Sequence, residues 1–166
     1  MGAPTASNPM EHPPERPLAT KLGIRSRSRV ALVGAPTGIR ERLEPLPPDV
    51  RVRNRLAAGC DVILCFALRR AEMEARFDRC LGALTIDGGL WLCYPKQSSG
   101  VATDLTFRSV QERGLAAGLV DNKSVAIDAM WTGLRFVVPL VGRPTWSAPT
   151  PRMRRPRGGA RPGRGG

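Results

Sequence analysis

The residues best suited to chemistry in this chain stand together between Tyr94 and Asp104. Lys96 follows Tyr94-Pro95, Ser98-Ser99-Gly100 follow after one residue, and Thr103 and Asp104 lie just beyond. A cation, two hydroxyls, a flexible glycine and the start of a helix are the parts of an anion site. Backbone N–H groups, a helix dipole and one point charge would converge there on a phosphate or carboxylate. The plainer alternative is a polar loop whose Ser and Thr cap the next helix. Asp104, Asp121 and Asp128 fall after or near strand ends, where a carboxylate serves as a general base or a hydrogen-bond partner. Asp104 has helix capping as its bland role, and Asp128 has pairing with Lys123 or Arg135, so the carboxylates alone name no reaction.

Several chemistries are excluded. His12 is the sole histidine and lies in a Pro- and Ser-rich arm, so no Ser-His-Asp or Cys-His set can form. Cys60, Cys65, Cys80 and Cys93 include no C-x-x-C pair, and Cys65 and Cys93 sit inside apolar runs. They read as small buried hydrophobes of a reducing cytosol, not as zinc ligands or disulfides. No metal and no cofactor is expected on these grounds.

The elements that must position the candidate loop follow from the apolar pattern. Arg29-Val30-Ala31-Leu32-Val33-Gly34 and Asp61-Val62-Ile63-Leu64-Cys65-Phe66-Ala67-Leu68 are continuous apolar runs, as strands covered on both faces should be. Ile39 to Leu43 makes a short helix stopped by Pro45, Pro47 and Pro48, and Val50-Arg51-Val52-Arg53 alternates as an edge strand does. Arg69 to Ala83 forms an amphipathic helix. Asp87-Gly88-Gly89 turns into a buried strand, Leu90 to Tyr94, in which Trp91 and Tyr94 point to opposite faces and Trp91 belongs to the core. Thr103 is placed to cap a helix running to about Ala117, with Asp104 in its first turn. Lys123 to Met130 and Thr132 to Leu140 read as a hairpin turning near Trp131, where the indole is available either for stacking or for packing. Strands alternating with helices imply a parallel sheet with right-handed crossovers; the expected fold is a three-layer α/β Rossmann-like sandwich of six strands in the order 2-1-3-4-6-5, with strand 6 antiparallel. The domain is expected over residues 18–143, with a flexible arm at 1–17 and an unstructured Arg/Gly/Pro-rich tail at 144–166.

The formal charge of +12 is spread over both core and tail, and residues 144–166 alone hold six arginines and no acid. Such a balance favours polyanions, nucleic acid among them, through nonspecific contact. The stretch Arg152-Met153-Arg154-Arg155-Pro156-Arg157-Gly158-Gly159 lacks the interleaved aromatics that stack on bases. No apolar run reaches the length of a membrane span and residues 1–18 lack the apolar core of a secretory signal, so a cytoplasmic protein with no membrane partner is expected.

Two resemblances add to this reading. Asp61-Val62-Ile63-Leu64, Asp87-Gly88-Gly89-Leu90-Trp91 and the hairpin over Lys123–Leu140 resemble the closing elements of class I methyltransferases, which implies their fold. That family holds S-adenosylmethionine over a glycine-rich turn after the first strand, with an acid at the end of the second. Here the turn reads Val33-Gly34-Ala35-Pro36-Thr37-Gly38, in which Pro36 offers no N–H, and the second strand ends Arg51-Val52-Arg53-Asn54 with no carboxylate. Gly34, Thr37 and Gly38, with Asp128 and Trp131, are therefore secondary candidates.

The second resemblance is carried by Lys21-Leu22-Gly23-Ile24, Tyr94-Pro95-Lys96 with Ser98-Ser99-Gly100, Thr103-Asp104-Leu105-Thr106, Gly118-Leu119-Val120-Asp121 with Lys123, Ala126-Ile127-Asp128, Trp131 and Arg135-Phe136-Val137. This set is similar to a bacterial domain-of-unknown-function family, number 3052, which implies a cytoplasmic protein without assigned chemistry. The expected function is a non-enzymatic binding or regulatory domain that captures a small anionic ligand or partner with Lys96, Ser98, Ser99, Gly100, Thr103 and Asp104. A degenerate methyltransferase-like enzyme is the first alternative, and nonspecific nucleic-acid binding through the basic core and tail is the second.

Overall fold

A computed structural model of the chain describes residues 15–143. The expected arms at 1–17 and 144–166 therefore lie almost wholly outside the described residues.

The short helix α1, Leu18–Lys21, leads into β1, Arg29–Val33. Helix α2, Ile39–Arg42, is a single turn between β1 and the three-residue strand β2, Arg51–Arg53. Then come β3, Cys60–Phe66, the helix α3, Arg70–Ala83, and β4, Leu84–Pro95. Helix α4, Phe107–Ala116, precedes the hairpin of β5, Val120–Ala126, and β6, Trp131–Val137.

The six strands form one sheet in the order β2-β1-β3-β4-β6-β5. β2, β1, β3 and β4 run parallel, and β6 is antiparallel to both β4 and β5. This is the topology expected from the sequence. Each continuous run is apolar throughout because both of its faces are covered. On one face Met73, Phe77 and Leu81 of α3 and Val110 of α4 pack against Ile63, Cys65, Leu90 and Leu92. On the other, Ala19, Leu22, Ile39 and Leu43 pack against Val30, Leu32, Leu64 and Trp91. A fully buried residue such as Phe77 contributes about 1.5–3 kcal/mol relative to its exposed state.

Three boundaries differ from the sequence reading. Asp87-Gly88-Gly89 is not a turn but part of β4, which runs through it. Gly88 is needed where it stands, since a Cβ there would come within 2.9 Å of the Asp61 carbonyl, while one on Gly89 would have to displace the Arg135 guanidinium. Helix α4 begins at Phe107, not Thr103, because Thr106 and Ser109 form a reciprocal capping box there. The hairpin turns at Ile127–Met130, so Trp131 opens β6 and is 5% exposed.

Candidate functional site

The loop after β4 leaves the carboxyl end of a central strand, where open α/β sheets hold ligands. Lys96 is half-buried and donates its backbone N–H to the Met130 carbonyl at 2.8 Å. Gln97–Ser99 then make one turn of 3-10 helix, closed by Gly100 at φ +71°. This turn takes up two of the N–H groups that the sequence offered to an anion. Ser99 N donates to Lys96 O and Gly100 N to Gln97 O. The Ser99 hydroxyl donates to Lys96 O at 2.6 Å and accepts from Val101 N at 3.3 Å. Ser98 is exposed.

Thr103 and Asp104 turn away from α4 and hold α3 instead. The Thr103 hydroxyl donates to Leu68 O and accepts from Leu105 N, and the Asp104 carboxylate accepts from Arg70 N at 2.7 Å. Neither is the cap of the next helix, because that place is taken by Thr106. A helix dipole aimed at the loop from Thr103 is therefore absent, and the residues brought near Lys96 are others. Lys96 borders a hollow of about 440 Å³ shared with Tyr94, Gln97, Thr106, Phe107 and Arg108. Burial pushes the Tyr94 phenol above its ordinary range, so it enters that hollow as a neutral hydroxyl. Arg108 carries no special motif in the sequence; only the position of the true helix start reveals it.

The secondary candidates divide. Gly34, Thr37 and Gly38 meet in a hollow of about 460 Å³ with Pro36, Arg40, Glu41 and Asn54. Asp128 is spent within the chain, its Oδ1 accepting from Met130 N and Trp131 N at 2.8 and 2.7 Å. It pairs with neither Lys123, whose ammonium donates to Lys21 O, nor Arg135. Trp131 packs edge-on against Phe66 with ring centroids 5.1 Å apart, so it belongs to the core and offers no free stacking face.

The turn after β1 stands at the point where the strand order reverses between β1 and β3, the usual place of a nucleotide cofactor. Gly34 adopts φ +63°, and directly above it lies the guanidinium of Arg76, which donates to Phe66 O and pairs with Glu72 at 3.4 Å. The second strand ends in Arg53-Asn54, both exposed. A crevice overlaid by a guanidinium and ended by an amide does not fit an adenosyl cofactor, whose ribose hydroxyls call for a carboxylate.

All four cysteines are buried. Cys65 on β3 and Cys80 on α3 share a hydrogen bond that pulls the Cys65 thiol below its ordinary range and pushes the Cys80 thiol above it. Among the described residues no group of three or more His, Cys, Asp or Glu is gathered as a metal site requires.

No protein-family model and no curated protein matches the sequence. Solved structures do match in fold. One is the O-methyltransferase NcsB1 from neocarzinostatin biosynthesis, in complex with S-adenosylmethionine and 2-hydroxy-5-methyl naphthoic acid: TM-score 0.53, 14% identity, covering 72% of this chain and 50% of that one. Another is described as a possible exported protein from Bordetella parapertussis: TM-score 0.52, 13% identity, covering 73% of this chain and 65% of that one. This chain thus spans less than two thirds of the length of either. With the strand order β2-β1-β3-β4-β6-β5 and an antiparallel β6, the chain has a methyltransferase-like Rossmann fold.

Proposed function

We propose that this chain is a non-enzymatic binding or regulatory domain of the cytoplasm, which captures a small anionic ligand or partner beside the loop 95–104. The observation that carries this reading is Lys96. It leaves the carboxyl end of β4, forms no ion pair among the described residues, and borders a hollow also lined by Tyr94 and by Arg108, whose guanidinium pairs with Glu112 at 3.3 Å. Because Ser99 and Gly100 keep their N–H groups within the turn, the anion is held mainly by side chains, with Lys96 as its unpaired cation and Arg108, shared with Glu112, beside it. Thr103 and Asp104 act by fixing the loop to α3.

Thermal melting of the full chain tests this, with and without phosphate, sulfate and nucleotides. Lys96→Ala should melt within about 0.5 kcal/mol of wild type without ligand, as exposed substitutions do. It should also lose the anion-induced rise in Tm. If no anion stabilises the wild type, or the variant responds equally, the loop is structural only.

A degenerate methyltransferase is the second reading, favoured by the fold likeness to an S-adenosylmethionine-binding O-methyltransferase. Arg76 over Gly34 and the missing acid at Asn54 weigh against it.

A further inference from the structure

A second basic surface lies away from Lys96, on the face of the sheet that carries α3 and α4. Helix α3 packs over β3 and β4, and α4 packs over β5 and β6. Among the described residues no helix covers β1 and β2 on this side. Strand register puts Arg29 and Ala31 on one face of β1, opposite Arg51 and Arg53 of β2, and Ala31 belongs to the core on the α3 side. Arg29, Arg51 and Arg53 therefore project onto the uncovered face, and all three are exposed. Two hollows run together there, of about 690 and 260 Å³, joined through Arg55, Ala57 and Ala58. Arg79 and Gly82 of α3 form the far wall of the larger one. None of the five arginines is in an ion pair among the described residues. Like charges opposite each other on neighbouring strands oppose the sheet, so Arg29 facing Arg51 is a cost that a bound polyanion would relieve.

We propose that this groove, from Arg51 to Arg79, is a docking surface for the phosphodiester backbone of single-stranded nucleic acid. Charge complementarity comes first, since guanidinium forks match phosphate oxygens in pairs. Between the arginines the hollows are lined by Gly34, Ala57, Ala58 and Gly82, which leaves room for a flexible strand. The β2 edge is poorly made for adding a peptide strand: it is three residues long, and its Val52 carbonyl already accepts Arg40 Nη2 at 3.0 Å. No aromatic side chain lines either hollow, so binding reads charge and not base identity.

The test is fluorescence anisotropy of the full chain with a labelled oligouridylate 20-mer across a salt series. Single-stranded binding should weaken with a slope of about 0.7 per phosphate contacted, so Arg51→Gln/Arg53→Gln should lower the slope by about 1.4. Arg51→Lys/Arg53→Lys should restore most of it, which separates lost charge from lost folding. Arg69→Gln/Arg70→Gln removes the same charge from exposed residues outside the groove and should leave the groove's share unchanged. Three outcomes would overturn the proposal: no binding by wild type at 50 mM salt, equal loss in the Arg69/Arg70 control, or displacement by polyglutamate as efficient per charge as by RNA. None of these bears on Lys96, which lies in neither hollow.

Discussion

The Asp104 carboxylate accepts the backbone N–H of Arg70 at 2.7 Å, across 34 residues of chain. Arg69 offers no capping side chain to α3, so the first turn of that helix is completed by the neighbouring crossover. Asp104→Ala should cost about 1 kcal/mol, the usual loss for a capping acceptor. Asp104→Asn, which keeps an oxygen but not the charge, should cost a few tenths. Urea midpoints decide this, and an unchanged midpoint for the alanine variant would mean that α3 does not depend on the latch.

Gly114 of α4 lies against the ring of Phe136, which is fully buried. Alanine is normally favoured over glycine in a helix by about 1 kcal/mol. Here its Cβ would enter the space of the ring, and overpacking costs about 1–3 kcal/mol. Gly114→Ala should therefore destabilise, and Phe136→Leu should cost less in that background than in wild type. Stabilisation by Gly114→Ala would show that α4 can shift away from β6.

S-adenosylmethionine should give no saturable heat at micromolar concentration with the wild-type chain. The reason is local: the guanidinium of Arg76 lies over Gly34, and Asn54 stands where an acid would hold the ribose. Tight, saturable binding by calorimetry would promote the methyltransferase reading over the binding reading.

Stability should fall in alkali. Burial raises the Cys93 thiol above its ordinary 9.0 and the Tyr94 phenol above 10.0. Below those values both folded and unfolded chains hold the protons, and stability does not depend on them. Above about pH 9 the unfolded chain releases protons that the native state keeps, so stability drops by up to about 1.4 kcal/mol per pH unit for each such group. Cys80, whose thiol is also pushed up, adds to this decline, whereas Cys65, held low beside it, contributes a stability that is already complete by about pH 9. Cys93→Ala should make the decline shallower between pH 9 and 10; an equal slope would place the loss elsewhere.

The sheet was legible from residue types alone. Continuous apolar runs at Arg29–Val33 and Cys60–Phe66 can only be strands with both faces covered, and the Arg70–Ala83 stripe between two of them forces a parallel crossover. The antiparallel β6 followed from the hairpin signal, and the full strand order is the one that the resemblance to methyltransferase-like folds implies. What the tertiary structure decided was where polar groups spend their hydrogen bonds. Thr103 and Asp104 have the composition of a helix start, yet Leu68 O and Arg70 N come near enough in space to claim them, and Thr106 with Ser109 makes the better box. Gly88 and Gly89 look like a turn, but their flatness answers to Asp61 and Arg135 on neighbouring strands. Trp131 stands beside the hairpin turn, where the sequence leaves stacking and packing both open, and Phe66, far away in sequence, supplies its packing partner. The uncovered arginine face of β1 and β2 belongs to the same class: alternation placed Arg51 and Arg53 on one side of a strand, and only the reach of α3 left that side open.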